Sequence, residues 1–150
     1  MTRIFRSTAI LGAMLVLAWG ASLGSGQAGD GIMAELDHNG SVMHMVDLGG
    51  GQIEIYYDRP RAGMQRAGVF GGTVLFEGWK NGNRMSGTAY VFRKGCEPAG
   101  YNVAGFVRGN AFTLRGAAPI RQKGGCQVLR YSSDSGNANL YFSVISGEIW

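Results

Sequence analysis

Seven basic residues fall into three stretches of the chain: Arg59, Arg61 and Arg66, then Arg93 and Lys94, then Arg121 and Lys123. A guanidinium group makes paired contacts to a carboxylate or phosphate, so such a set suits an acidic partner, with the first three arginines as its centre. Met64, Val69 and Phe70 share the arginine stretch and would supply an apolar anchor. The competing explanation is a solvated surface that keeps the protein soluble.

Other chemistry is less well supplied. Met33, His38, Met43, His44 and Met45 cluster in sequence, and thioether with imidazole is a ligand set that suits copper. On an extended strand, however, Met43 and Met45 point to one face and His44 to the other. Neither GxSxG nor HExxH occurs after residue 28, and the two histidines both lie before residue 45, so no hydrolase constellation can be assembled without them. Asp58, Glu77, Glu97 and Asp134 are present, but nothing pairs any two as an acid and base. Catalysis is therefore not expected, and no cofactor is implied. Exposed tyrosines (Tyr56, Tyr90, Tyr131, Tyr141) beside basic residues are also the composition of a single-strand binder. The formal charge of +4 is too small for that, and it falls when Arg3 and Arg6 leave with the leader. Nucleic acid is not an expected partner.

Residues 1–28 are read as that leader. Arg3 and Arg6 precede an uncharged run through Ile10-Leu11-Gly12-Ala13-Met14-Leu15-Val16-Leu17, and small residues up to Ala28 follow. This is the layout of a secretory signal peptide. Cleavage is placed after Ala28, with Ala21 as second choice. The apolar run is short for a bilayer span, which needs about 20 residues, so no transmembrane segment is expected after removal. The expected location is periplasmic or secreted. Cys96 and Cys126 are the two cysteines, and in an exported chain such a pair reads as a disulfide. Closing a loop of about 30 residues, the bridge would contribute on the order of 3–4 kcal/mol.

The elements that must position these groups are strands. The 150 residues include 26 glycines, which suits turns and disfavours helix interiors. Short apolar or alternating runs predict strands at 42–48, 52–58, 73–79, 85–93, 101–107, 111–117, 127–132 and 138–145. Gly49-Gly50-Gly51, Lys80-Asn81-Gly82-Asn83, Arg108-Gly109-Asn110 and Ser133-Asp134-Ser135-Gly136-Asn137 separate several of them, and Gly and Asn supply the positive φ that hairpins require. The predicted fold is all-β: an antiparallel up-and-down meander of about eight strands closed into a small barrel, with a β-sandwich as runner-up. Residues 29–40 are expected to be a flexible lead, and 41–150 a single domain. Strands 73–79 and 85–93 are apolar on both faces, which suggests a covering layer. In a meander alternate connections share an end. That brings the two cysteines together, along with all seven basic residues above.

The stretch Gly72-Thr73-Val74-Leu75-Phe76-Glu77-Gly78, the run Ser86-Gly87-Thr88-Ala89-Tyr90-Val91-Phe92 with Cys96, Tyr101-Asn102-Val103-Ala104-Gly105, and Leu114-Arg115-Gly116-Ala117-Ala118-Pro119 with Cys126 resemble an uncharacterised small exported β-domain of rhizobial-type alphaproteobacteria. Similar domains also follow caspase-like peptidase domains in longer chains. The resemblance spans roughly residues 50–145. It implies compartment and modularity and carries over no catalytic residue, since neither cysteine here has the surroundings of a nucleophile.

Together these features predict a non-catalytic binding module of the bacterial envelope, docking an acidic polymer or protein through Arg59, Arg61, Met64, Arg66, Phe70, Arg93, Lys94, Arg121 and Lys123. The alternatives are a small-ligand carrier using the barrel interior and a copper-handling protein using the Met/His cluster.

Overall fold

The computed structural model describes residues 31–149; the predicted leader lies outside them. Eleven elements follow in chain order: β1 (Ile32–His38), β2 (Ser41–Gly49), β3 (Gln52–Arg59), α1 (Ala62–Arg66), β4 (Val74–Asn81), β5 (Arg84–Val91), β6 (Ala99–Arg108), β7 (Ala111–Arg115), β8 (Ala118–Arg121), β9 (Val128–Ser132) and β10 (Asn139–Gly147). Eight strands close into an antiparallel barrel in the order β1-β10-β7-β6-β5-β4-β3-β2, and β8 with β9 forms a separate two-stranded ribbon. The chain is all-β with one disulfide, Cys96–Cys126.

Two of the expected assignments are corrected. Much of the supposed flexible lead 29–40 is β1, hydrogen-bonded to β2 on one side and β10 on the other. Ala34, Leu36 and His38 point inward and are buried, while Glu35 and Asp37 are only half-buried. Asn39 and Gly40 both take positive φ, 52° and 81°, which is the backbone of a tight hairpin whose twist matches its strands. The run 127–132, in turn, is not a barrel strand. Its core, β9, pairs with β8 and leaves Leu129 and Tyr131 exposed. Ala118 of β8 takes the place against the barrel core instead. The barrel therefore keeps eight strands: β10 pairs directly with β7, and β1 makes up the number between β10 and β2.

Inward alternation fills the barrel. Met43 and Met45, Ile53, Ile55 and Tyr57, Phe76, Met85, Phe112 and Leu114, and Phe142 are all almost fully buried, as an eight-stranded barrel just wide enough for side chains requires. His38, Phe142 and Phe112, on adjacent strands β1, β10 and β7, stack in sequence with ring centroids 4.7 and 4.8 Å apart. Buried Val69 closes one end with partly buried Met64 and Phe92 packed beside it, and Ile149 is buried near the C-terminus, where Glu148 N–H donates to the Met33 carbonyl at 2.9 Å. No further layer covers β4 among the described residues, and Trp79 stays 60 % exposed.

The two ends differ in kind. At one, β2–β3, β4–β5 and β6–β7 are joined by two-residue turns; the other carries the 60–73 connection with α1, the 92–98 connection, and the ribbon between β7 and β10. The disulfide joins the last two, with its Cα atoms 5.3 Å apart.

Candidate functional site

The loop-rich end brings the seven predicted basic residues together, but they do three different things. Arg93 donates through Nη1 to the Gln122 carbonyl at 2.7 Å and the Gly125 carbonyl at 2.5 Å. Arg121 donates to the Cys126 carbonyl, and at 2.5 Å to that of Glu97. Each guanidinium thus spans the two connections that the disulfide joins, and both are consumed in building the end. Arg59 lies 3.9 Å from a Glu35 carboxylate oxygen and 3.6 Å from one of Asp58, so its charge is balanced on the barrel wall.

Arg61, Arg66, Lys94 and Lys123 are exposed and have no ion-pair partner among the described residues. They sit close by construction. The space beside Gly63 is bounded by the guanidinium groups of both Arg61 and Arg66, and Gly68 abuts the Lys94 backbone. Lys123 lies in the ribbon turn whose flanking carbonyls Arg93 grips. Of the expected apolar anchors, Phe70 stands 71 % exposed, but Val69 is buried and Met64 packs on the core. Their burial has a physical cause: the short helix α1 folds back over the barrel mouth, and Gln65 Nε2–H fastens it to the Pro60 carbonyl at 2.8 Å. The surface set is thus Arg61, Arg66, Lys94, Lys123 and Phe70.

Beneath α1 the mouth keeps a recess of about 110 Å³ lined in part by His38, Tyr57, Arg61, Met64, Tyr90 and Asn137. His38 Nδ1 is 2.8 Å from the Tyr141 carbonyl; a carbonyl only accepts, so this nitrogen carries the proton. Burial holds the His38 pKa below its ordinary value, with nearby Arg61 adding to the effect. Burial likewise pushes Tyr57 and Tyr101 up to about 12, and the Tyr101 hydroxyl donates to the Asn137 carbonyl at 2.5 Å. All three groups stay neutral at pH 7. The recess has room for a few waters, whereas pockets for drug-sized ligands run from about 300 Å³ upward. The interior is filled, which gives a carrier little to hold.

The Met/His cluster is divided by the strand pleat. Met43 and Met45 are in the core. His44 faces outward, with Nε2 3.8 Å from a Glu35 carboxylate oxygen and 4.0 Å from one of Asp58, and His38 is stacked inside on Phe142. These side chains do not converge on one point.

A further concavity, unmarked by any sequence motif, lies on the outer wall across β5, β6, β7 and β10. It has a volume of about 530 Å³, and its lining includes Arg84, Phe106, Arg108, Arg115 and Tyr141. Alternation along each strand marks these residues as outward-facing, but their meeting depends on strand register.

No protein-family model matches this chain, and neither does any curated protein or solved structure.

Proposed function

We propose that this chain is an exported, non-catalytic binding module of the bacterial envelope, periplasmic or secreted, that docks an acidic polymer or protein through its loop-rich end. The observation that carries the reading is the set Arg61, Arg66, Lys94 and Lys123, without ion-pair partners among the described residues, beside exposed Phe70, on connections braced by a disulfide and two consumed arginines. Cations left without carboxylates are free to pair with those of a partner, and a braced frame lowers the ordering cost of doing so. The predicted leader and the resemblance to small exported domains support the compartment, with which a disulfide is compatible.

Poly-L-glutamate serves as a defined acidic probe. Wild-type protein should bind it with an affinity that falls as salt rises. The fourfold variant Arg61→Glu, Arg66→Glu, Lys94→Glu and Lys123→Glu should bind at least about tenfold more weakly, with an unchanged thermal midpoint. Undiminished binding by the variant would sink the reading. Arg59, Arg93 and Arg121 are left intact because their loss would loosen the frame.

A further inference from the structure

The concavity on the barrel wall is built by register. Arg84 pairs with Phe106 across β5 and β6, and Thr113 pairs with Tyr141 across β7 and β10. The β6–β7 register joins Ala104 to Arg115 and Val107 to Phe112, which sets Phe106 opposite Thr113. One row therefore crosses four strands, with an exposed aromatic ring on β6 and another on β10, about 10 Å apart at ordinary strand spacing. Phe106 and Tyr141 are 49 % and 52 % exposed. Small residues Ala104, Gly105 and Ala111 help form the floor. Gly105 has the inward parity of buried Val103 and Val107, and a Cβ there would lie 2.0 Å from the Thr113 carbonyl oxygen, so only glycine lets β6 and β7 approach this closely beneath the hollow.

The charge is one-sided. Arg84, Arg108 and Arg115 are exposed, no acidic residue lines the concavity, and none of the three has an ion-pair partner among the described residues. Arg84 lies over the Phe106 ring, 6.0 Å from its centroid. Arg115 and Arg108 bracket the aromatic row from the two strand directions, about 13 Å apart along β6 at roughly 3.3 Å per residue.

We propose that this groove binds an acidic polysaccharide, a chain of uronic-acid type, at a second site separate from the loop-rich end. Successive sugar rings lay their apolar C–H faces on Phe106 and Tyr141 and pass over the small floor between them. Their carboxylates project from the ring edges, where the arginines of the groove receive them in paired contacts. A peptide is a poorer occupant, because a closed barrel offers no free strand edge for an extended chain to join. The site differs from the loop-rich end in face, residues and ligand, and neither requires the other.

The probe is a purified oligogalacturonate, titrated calorimetrically at physiological salt against wild type and three variants. Wild type should bind it and should not bind a neutral glucan of equal length. Arg84→Glu with Arg115→Glu should weaken binding at least about tenfold. Phe106→Ser with Tyr141→Ser, which keeps every charge, should weaken it as well. The fourfold variant of the loop-rich end should leave it unchanged, so failure here is separable from failure there. The proposal is overturned by absence of wild-type binding or by equal binding in both groove variants. It is equally overturned if a single-stranded oligonucleotide displaces the sugar at lower concentration, or if the groove mediates self-association seen by sedimentation and lost in these same variants.

Discussion

The two walls of the barrel carry opposite charge and use it differently. On the wall formed by β1 to β4, several charges are met within the protein: His44 and Arg59 lie among Glu35 and Asp58, and the Tyr90 hydroxyl of β5 donates to Glu77. That last bond, more than burial, pushes Tyr90 up to about 12. On the wall of β5, β6, β7 and β10, Arg84, Arg108 and Arg115 have no such partners among the described residues. The difference separates charges that complete the frame from charges that remain available. Arg93 and Arg121 show the same distinction at the loop-rich end, beside Arg61, Arg66, Lys94 and Lys123.

The most damaging way to break this arrangement is at the seam where the walls meet. Phe142 is fully buried between His38 of β1 and Phe112 of β7. Phe142→Ala should cost about 3–5 kcal/mol in denaturant unfolding, through lost contacts and the cavity left behind. An effect below about 1 kcal/mol would mean the site collapses freely and the stack does not join the walls.

The same seam should respond to pH. Burial is the main reason the His38 pKa lies below its ordinary value of 6.5 in the folded protein. Between the folded value and 6.5 the unfolded chain binds more protons, so stability rises with pH across that window. The contribution of neutral His38 is therefore full above about pH 6.5 and is lost as the pH falls from there towards the folded value. Thermal midpoints should decline below about pH 6.5 in wild type, and His38→Leu should flatten that slope even though it leaves the Tyr141 carbonyl without its donor.

The smallest effect sharpens the contrast between the walls. Glu54 and Glu77 are directly paired across β3 and β4; partial burial, then the neighbouring Glu77, holds Glu54 above the usual carboxylate range. Glu54→Gln should stabilise the protein at pH 7 by only about 0.3 kcal/mol, because the pair is largely solvated. Arg115→Gln on the other wall should change stability by less than about 0.5 kcal/mol while weakening oligogalacturonate binding.

The fold class was legible because glycine and asparagine turns separate runs of alternating residues, and eight such strands do close a barrel. The assignment of β1 failed for a specific reason. His38 occupies an inward position where an apolar residue would have completed the alternation of Ala34 and Leu36, although Asn-Gly, here Asn39-Gly40, is a dipeptide that favours hairpin turns. The run 127–132 misled in the opposite direction, since Leu129 and Tyr131 alternate as a buried strand would and yet face solvent. The expected meeting of the cysteines survived both errors. Adding β1 shifts each connection by one strand and leaves both at the same end. Among the candidate site residues, sequence placed the basic stretches at one shared end, where their three connections do lie. Only side-chain geometry separates Arg93 and Arg121, which grip carbonyls, from Arg61 and Arg66, which grip none among the described residues. The wall groove was the least legible feature, because Arg84, Phe106, Arg115 and Tyr141 come together through pairings across four strands.

The most direct test of the claim that the loop-rich end, with its cations free of ion pairs among the described residues, is a working surface is an amide-resolved NMR titration with poly-L-glutamate. The account predicts shifts concentrated at Arg61 to Phe70, Lys94 and Lys123, fading as salt is raised, with Glu35, Glu54 and Glu77 on the opposite wall unmoved. An absence of shifts at the loop-rich end, or shifts centred on that acidic wall, would contradict it.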